Sequence, residues 1–134
     1  MAIVTGTAPD LADFEEMAAA ALAEIPTLFR ARIGTLLIRV ADFAEDEVLA
    51  ELGIEDPFEL TGLYEGVALT EKSFSDPMAM PDTVWLFRRP ILDEWAARGD
   101  VPLDHLVGHV LVHEIAHHFG MSDEDIARID DWRL

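Results

Sequence analysis

A chain of 134 residues is of the size that one hydrophobic core serves. Its 51% apolar content, with seven Phe and three Trp, can fill such a core and excludes global disorder. Nine Lys and Arg against 27 Asp and Glu give a net charge of −18, a field that repels nucleic-acid backbones and anionic lipid and speaks against both as partners. The absence of cysteine excludes disulfides, thiolate zinc sites and cysteine nucleophiles, so any metal must be held by His, Asp or Glu.

Near the N-terminus the longest apolar run, Met17–Ala23, lies between Glu16 and Glu24. It is too short to span a membrane, and it follows acidic residues where a signal peptide would have basic ones. A cytoplasmic protein is therefore the expectation. No repeat, low-complexity tract or linker interrupts the chain, so residues 1–134 are expected to form a single domain.

In chain order, Asp10 caps a first helix with the apolar stripe Leu11, Phe14, Ala18, Ala21, Leu22 and Ile25, stopped by Pro26. Thr35–Val40 reads as a buried strand. Glu45–Leu52 is a short acidic helix ended by Gly53. Leu63–Thr70, interrupted by Gly66, and Thr83–Phe87 read as two more strands. Pro90 opens a helix to about Arg98, where Gly99 ends it. Pro102 then opens the longest periodic segment, Leu103–Phe119, closed by Gly120. Ser122 with Asp125 resembles a capping-box start for a last helix to about Trp132. The order αβαββααα implies an α+β fold in which a small mixed sheet packs against helices.

The chemistry is concentrated in His113-Glu114-Ile115-Ala116-His117-His118-Phe119-Gly120-Met121-Ser122-Asp123. Helix positions four apart lie about 40° apart in azimuth and about 6 Å along the axis. His113 and His117 thus share one face and can bind a single ion. Glu114, rotated about 100° from His113, flanks that ion as a base for its water. Gly120 can turn the chain so that Asp123 returns as a third ligand, with Glu124 as a substitute. Two His and one carboxylate leave the fourth tetrahedral position to water, the arrangement of a catalytic zinc site. In this composition H-E-x-x-H arises by chance at about 2%, but adding the Gly and the Asp lowers that to about 1 in 10,000.

The pattern H-E-x-x-H-x-x-G-x-x-D resembles the zincin metallopeptidases, in the metzincin-like form with Asp as third ligand. Further segments, Asp56-Pro57-Phe58-Glu59-Leu60, Gly62-Leu63-Tyr64-Glu65-Gly66-Val67, Leu69-Thr70-Glu71 and Arg88-Arg89-Pro90-Ile91-Leu92, resemble a small bacterial family of minimal zincin metallopeptidases. The resemblance spans most of the chain from Thr35 onward. It implies a zincin-like fold with the motif on a central active-site helix, and a zinc peptidase activity. One departure stands out. Eleven residues follow Asp123 and none is Met, so the methionine turn of metzincins is not expected, and with it one wall of the usual cleft.

The function expected is hydrolysis of peptide bonds by one Zn2+ ion on His113, His117 and Asp123, with Glu114 as general base. The acidic surface favours cationic or neutral peptides. Two rivals share the motif. One is a non-catalytic zinc-bound interaction module, suggested by the missing wall. The other is a metal-dependent endoribonuclease, against which stand Glu114, Asp123 in place of a third His, and the acidic surface.

Other residues have simpler readings. His118, about 140° round from His113, reads as an exposed or helix-end histidine, with a transition-state donor as the alternative. His105 and His109 read as polar positions on a partly buried helix, and Arg88 and Arg89 as surface ion-pair partners. Tyr64 reads as strand packing, with an oxyanion donor as the alternative. Gly62 and Gly66 mark a bulge or a close backbone approach, suited to a sheet edge that pairs with an extended peptide.

Overall fold

The computed structural model describes residues 8–27, 30, 36–66 and 82–120. Helix α1, Leu11–Glu24, is started by Asp10, whose carboxylate accepts from the Asp13 backbone N–H while the Asp13 carboxylate accepts from that of Asp10. This reciprocal cap satisfies two N–H groups that the first helical turn leaves without partners. Strand β1, Leu36–Ala41, leads to α2, Asp46–Leu52, which ends at Gly53. A single 3-10 turn, Pro57–Glu59, follows, with the Asp56 side chain accepting from Phe58 N–H.

Strands β2, Gly62–Glu65, and β3, Asp82–Phe87, come next. Helix α3 is Arg88–Arg98 and α4 is Leu103–His118. The strands each begin one residue away from the expected position, and α3 begins two residues before Pro90, which still falls in the first turn. The tail of the expected second strand and the expected last helix lie outside the described residues.

The sheet has the order β1-β3-β2, with β1 parallel to β3 and β2 antiparallel to it. It is mixed, and the fold is α+β as expected. On one face, Val84 and Leu86 of β3 pack with Phe14, Ala18 and Ala21 of α1 and Leu106, Val107, Val110, Leu111 and Ile115 of α4. On the other face, Phe87 joins Ala44 and Leu49, with Leu63 and Trp85 packed against them. Period-2 alternation along β3 therefore sends successive side chains into two different apolar clusters. Helix α4 packs against α1 and against β2 and β3, which covers most of its surface.

Candidate metal centre

Along α4 the covered faces leave one strip partly open. His113, Glu114 and His117 are each half-buried, whereas Val112, Ile115, Ala116 and His118 around them are buried. One ligand atom from each of the three half-buried residues lies within 4.8 Å of the others. The two imidazole rings meet edge to face, with centroids 5.2 Å apart. Two imidazole nitrogens from adjacent turns of a packed helix, with a carboxylate beside them, are groups whose chemistry suits a zinc site. The expected pairing of His113 with His117 is thus present, and Glu114 stands beside them. Helix α4 ends at Phe119, and Gly120 adopts the positive φ, 77°, that a chain reversal requires. Asp123, the expected third ligand, and Glu124 lie outside the described residues.

Strand β2 reaches this helix through Gly62. A Cβ at that position would lie 2.7 Å from Val110 Cγ1, 3.1 Å from Glu114 Cγ and 3.2 Å from the Trp85 carbonyl oxygen. Glycine is what lets the strand backbone lie directly against the Glu114 side chain, the close approach anticipated from the sequence.

The second anticipated close approach, Gly66, serves a different group. With φ at 151°, Gly66 leaves room for the Asp82 carboxylate, whose Oδ1 would sit 2.2 Å from a Cβ there. Asp82 opens β3 and is 2% exposed. His118 is 1% exposed, and its Nδ1 lies 2.8 Å from Asp82 Oδ2. The Tyr64 hydroxyl lies 3.3 Å from the same nitrogen and donates to the Asp82 carboxylate. Burial raises the Tyr64 pKa above its ordinary 10, and the hydrogen bond and negative charge of Asp82 add to the rise. The phenol therefore stays protonated and available to hold the buried carboxylate.

His118 is a helix-end histidine, as one of the two expected readings had it, but it is not exposed. It does lie off the metal face, but that side of α4 meets β2 and β3 rather than solvent. Asp82 was missed altogether, because its partners lie 18 and 36 positions away in sequence. The usable signal was an acid, Asp82, at the start of an apolar strand. The expected strand packing of Tyr64 holds, with its hydroxyl engaged in this cluster.

The remaining candidates take peripheral places. His105 is exposed and His109 half-buried. Arg88 pairs with Asp42 at 3.0 Å and donates through Nε to the Pro9 carbonyl at 2.7 Å, as a surface partner should. Arg89 lies over the Phe43 ring.

Compared with known families, residues 33–133 match the zincin-like metallopeptidases. The chain belongs to that family. This zincin-like chain has no match among the curated proteins with which it was compared. Membership agrees with the H-E-x-x-H spacing on α4 and with the mixed α+β architecture. It points to a hydrolase with a metal-binding site and a peptide substrate. Among the described residues no helix is long and apolar enough to cross a membrane.

Proposed function

We propose that this zincin-like protein is a zinc-dependent peptidase. The observation that carries the reading is the placement of His113, Glu114 and His117 together on the open strip of α4, with the Glu114 side chain against the Gly62 backbone of strand β2. His113 and His117 would hold one zinc ion, with Asp123 as the third ligand. Zinc bound by such a set supplies Lewis acidity to the scissile carbonyl and makes water a competent nucleophile near neutral pH.

The chain's own groups account for the rest. The Glu114 carboxylate accepts the proton of the attacking water and returns it to the leaving amine nitrogen. Strand β2 positions the substrate. The Phe87 N–H donates to the Thr61 carbonyl at 2.9 Å, which makes Thr61 and Phe87 a hydrogen-bonded pair of the antiparallel ladder. By alternation Leu63 and Glu65 also bond inward to β3, and Gly62 and Tyr64 direct their N–H and C=O groups to the outer edge. Among the described residues no strand pairs with that edge. An extended peptide laid there gains main-chain hydrogen bonds, and its backbone runs past Glu114.

The decisive test is Glu114→Gln, which keeps size and removes the base. Peptide hydrolysis is expected to vanish while zinc, measured by metal analysis, stays bound. Hydrolysis at the wild-type rate by this variant would remove Glu114 from the mechanism.

A further inference from the structure

Strand β2 has two faces, and only one looks at the metal helix. Gly62 and Tyr64 belong to that face, whereas Leu63 and Glu65 point to the opposite side of the sheet. There the structure holds a cavity of about 280 Å³, lined among others by Phe43, Trp85, Phe87, Leu63, Glu45 and Glu65. Its walls are aromatic and aliphatic, and its charged lining residues are both carboxylates. Glu65 accepts from the Trp85 indole N–H, which fixes the carboxylate at the edge of that ring. Two arginines of the chain already lie over rings of this lining, Arg39 over Trp85 at 5.9 Å and Arg89 over Phe43 at 5.7 Å. The electron-rich faces of these rings thus attract guanidinium groups.

A peptide strand beside β2 must alternate in the same way. The residues opposite Gly62 and Tyr64 face α4 and the metal ligands, while the residue opposite Leu63 faces the cavity. We propose that this cavity is a specificity site that takes a basic side chain, arginine or lysine, from the substrate residue opposite Leu63. The proposal rests on the peptidase reading for its purpose, but the binding it describes needs no metal. A basic side chain suits the cavity along its whole length. Its methylene stem packs on Leu63 and the neighbouring apolar wall, and its cationic head reaches Glu45 and Glu65. A neutral polar side chain of the same length would desolvate its head without finding an opposite charge, and an acidic one would meet two like charges.

The test is calorimetric and uses the full chain freed of metal with a chelator, at 0.15 M salt to screen the overall −18 field. The probes are a blocked alanine heptapeptide with central arginine and the same peptide with citrulline, the neutral isostere. The arginine peptide should bind about tenfold more tightly or better. Glu45→Gln and Glu65→Gln should each reduce that ratio severalfold, and the double variant should bring it close to one. Gln at position 65 retains an acceptor for the Trp85 N–H, and far-ultraviolet dichroism and melting verify the fold. Equal affinity for the two peptides, no binding of either, or a preference that survives the double variant would each overturn the proposal. Failure of the zinc-loaded wild type to cleave any arginine peptide that it binds would instead overturn the peptidase reading.

Discussion

The contact between β2 and α4 can be stressed at one atom. Gly62→Ala places a methyl carbon 2.7 Å from Val110 Cγ1, where carbon atoms prefer about 3.5–4.0 Å. Val110 is buried in the core on a helix, where the β-branched side chain has one strongly preferred rotamer, so it cannot swing aside cheaply. Retreat in the other direction meets the Trp85 carbonyl at 3.2 Å, a backbone atom fixed in the sheet. Overpacking of this kind costs about 1–3 kcal/mol, and the gain from replacing glycine in a strand offsets about 0.5–1 kcal/mol. A net loss of about 1–2 kcal/mol lowers the melting temperature by about 4–8 °C for a domain of this length.

The functional consequence is larger than the stability loss, because the third neighbour is Glu114 Cγ at 3.1 Å. Moving the base by a few tenths of an ångström, against a cost near 100-fold for a full ångström, predicts roughly tenfold slower turnover. The control is Gly53→Ala, where φ is 71° but no atom lies within 4 Å of the added methyl. That variant should lose about 1–2 kcal/mol to backbone strain alone and keep wild-type turnover per folded molecule. Thermal melts and initial rates at a temperature where all three proteins are folded provide the comparison. Wild-type stability and wild-type turnover in Gly62→Ala would refute the claim that β2 is seated on Glu114.

Other perturbations separate the parts of the site. Tyr64 is the chain's lone tyrosine, so absorbance at 295 nm reports it alone; with its folded pKa raised, no phenolate should appear near pH 11 until unfolding in urea restores titration near 10. The linked stability is fully present below pH 10 and is lost as pH rises toward the folded value, so urea midpoints should fall above pH 10 in the wild type more steeply than in Tyr64→Phe. Asp82→Ala, which leaves His118 and Tyr64 buried without their carboxylate partner, should cost about 1–3 kcal/mol in urea unfolding of the metal-free protein. Asp123→Ala should weaken zinc binding by more than the roughly 10–100-fold typical of losing a group that only orients a ligand, with metal-free stability little changed.

How much of this was legible in the sequence depended on the range of the interaction. The Asp10 cap, the Gly53 stop and the α4 periodicity are local, and each element followed from its own residues. The pairing of His113 with His117 was equally legible, since four-residue spacing on a helix fixes it. The 3-10 turn at Pro57 went unread although Asp56 and Pro57 are adjacent turn-forming residues. Asp82 escaped because a charged residue at a strand end reads as exposed unless its partners are known. Those partners come from β2 and from the far end of α4. The cavity behind β2 is likewise assembled from three separate stretches of chain, and no periodicity announces it.

Adjacent histidines at the end of α4 show how one helix separates binding from support. Measured from His113, His117 lies at about 40° and Glu114 at about 100°, whereas His118 lies at about 140°, past the edge of the strip they share. His117 remains on the half-open strip with His113 and Glu114, where an ion and a substrate have access. His118 turns inward to Asp82 and Tyr64, tying the end of the helix to β3 and to the edge strand at once. The covered residues before it, Val110, Leu111 and Ile115, hold the rest of α4 by apolar packing, which resists separation but has little directional preference. A hydrogen-bonded contact at the helix end supplies the direction that such packing lacks. The distance between the ligand pair and the Gly62 backbone is therefore set at two points on α4, Val110 against Gly62 and His118 against Asp82. Both lie within about two turns of His117.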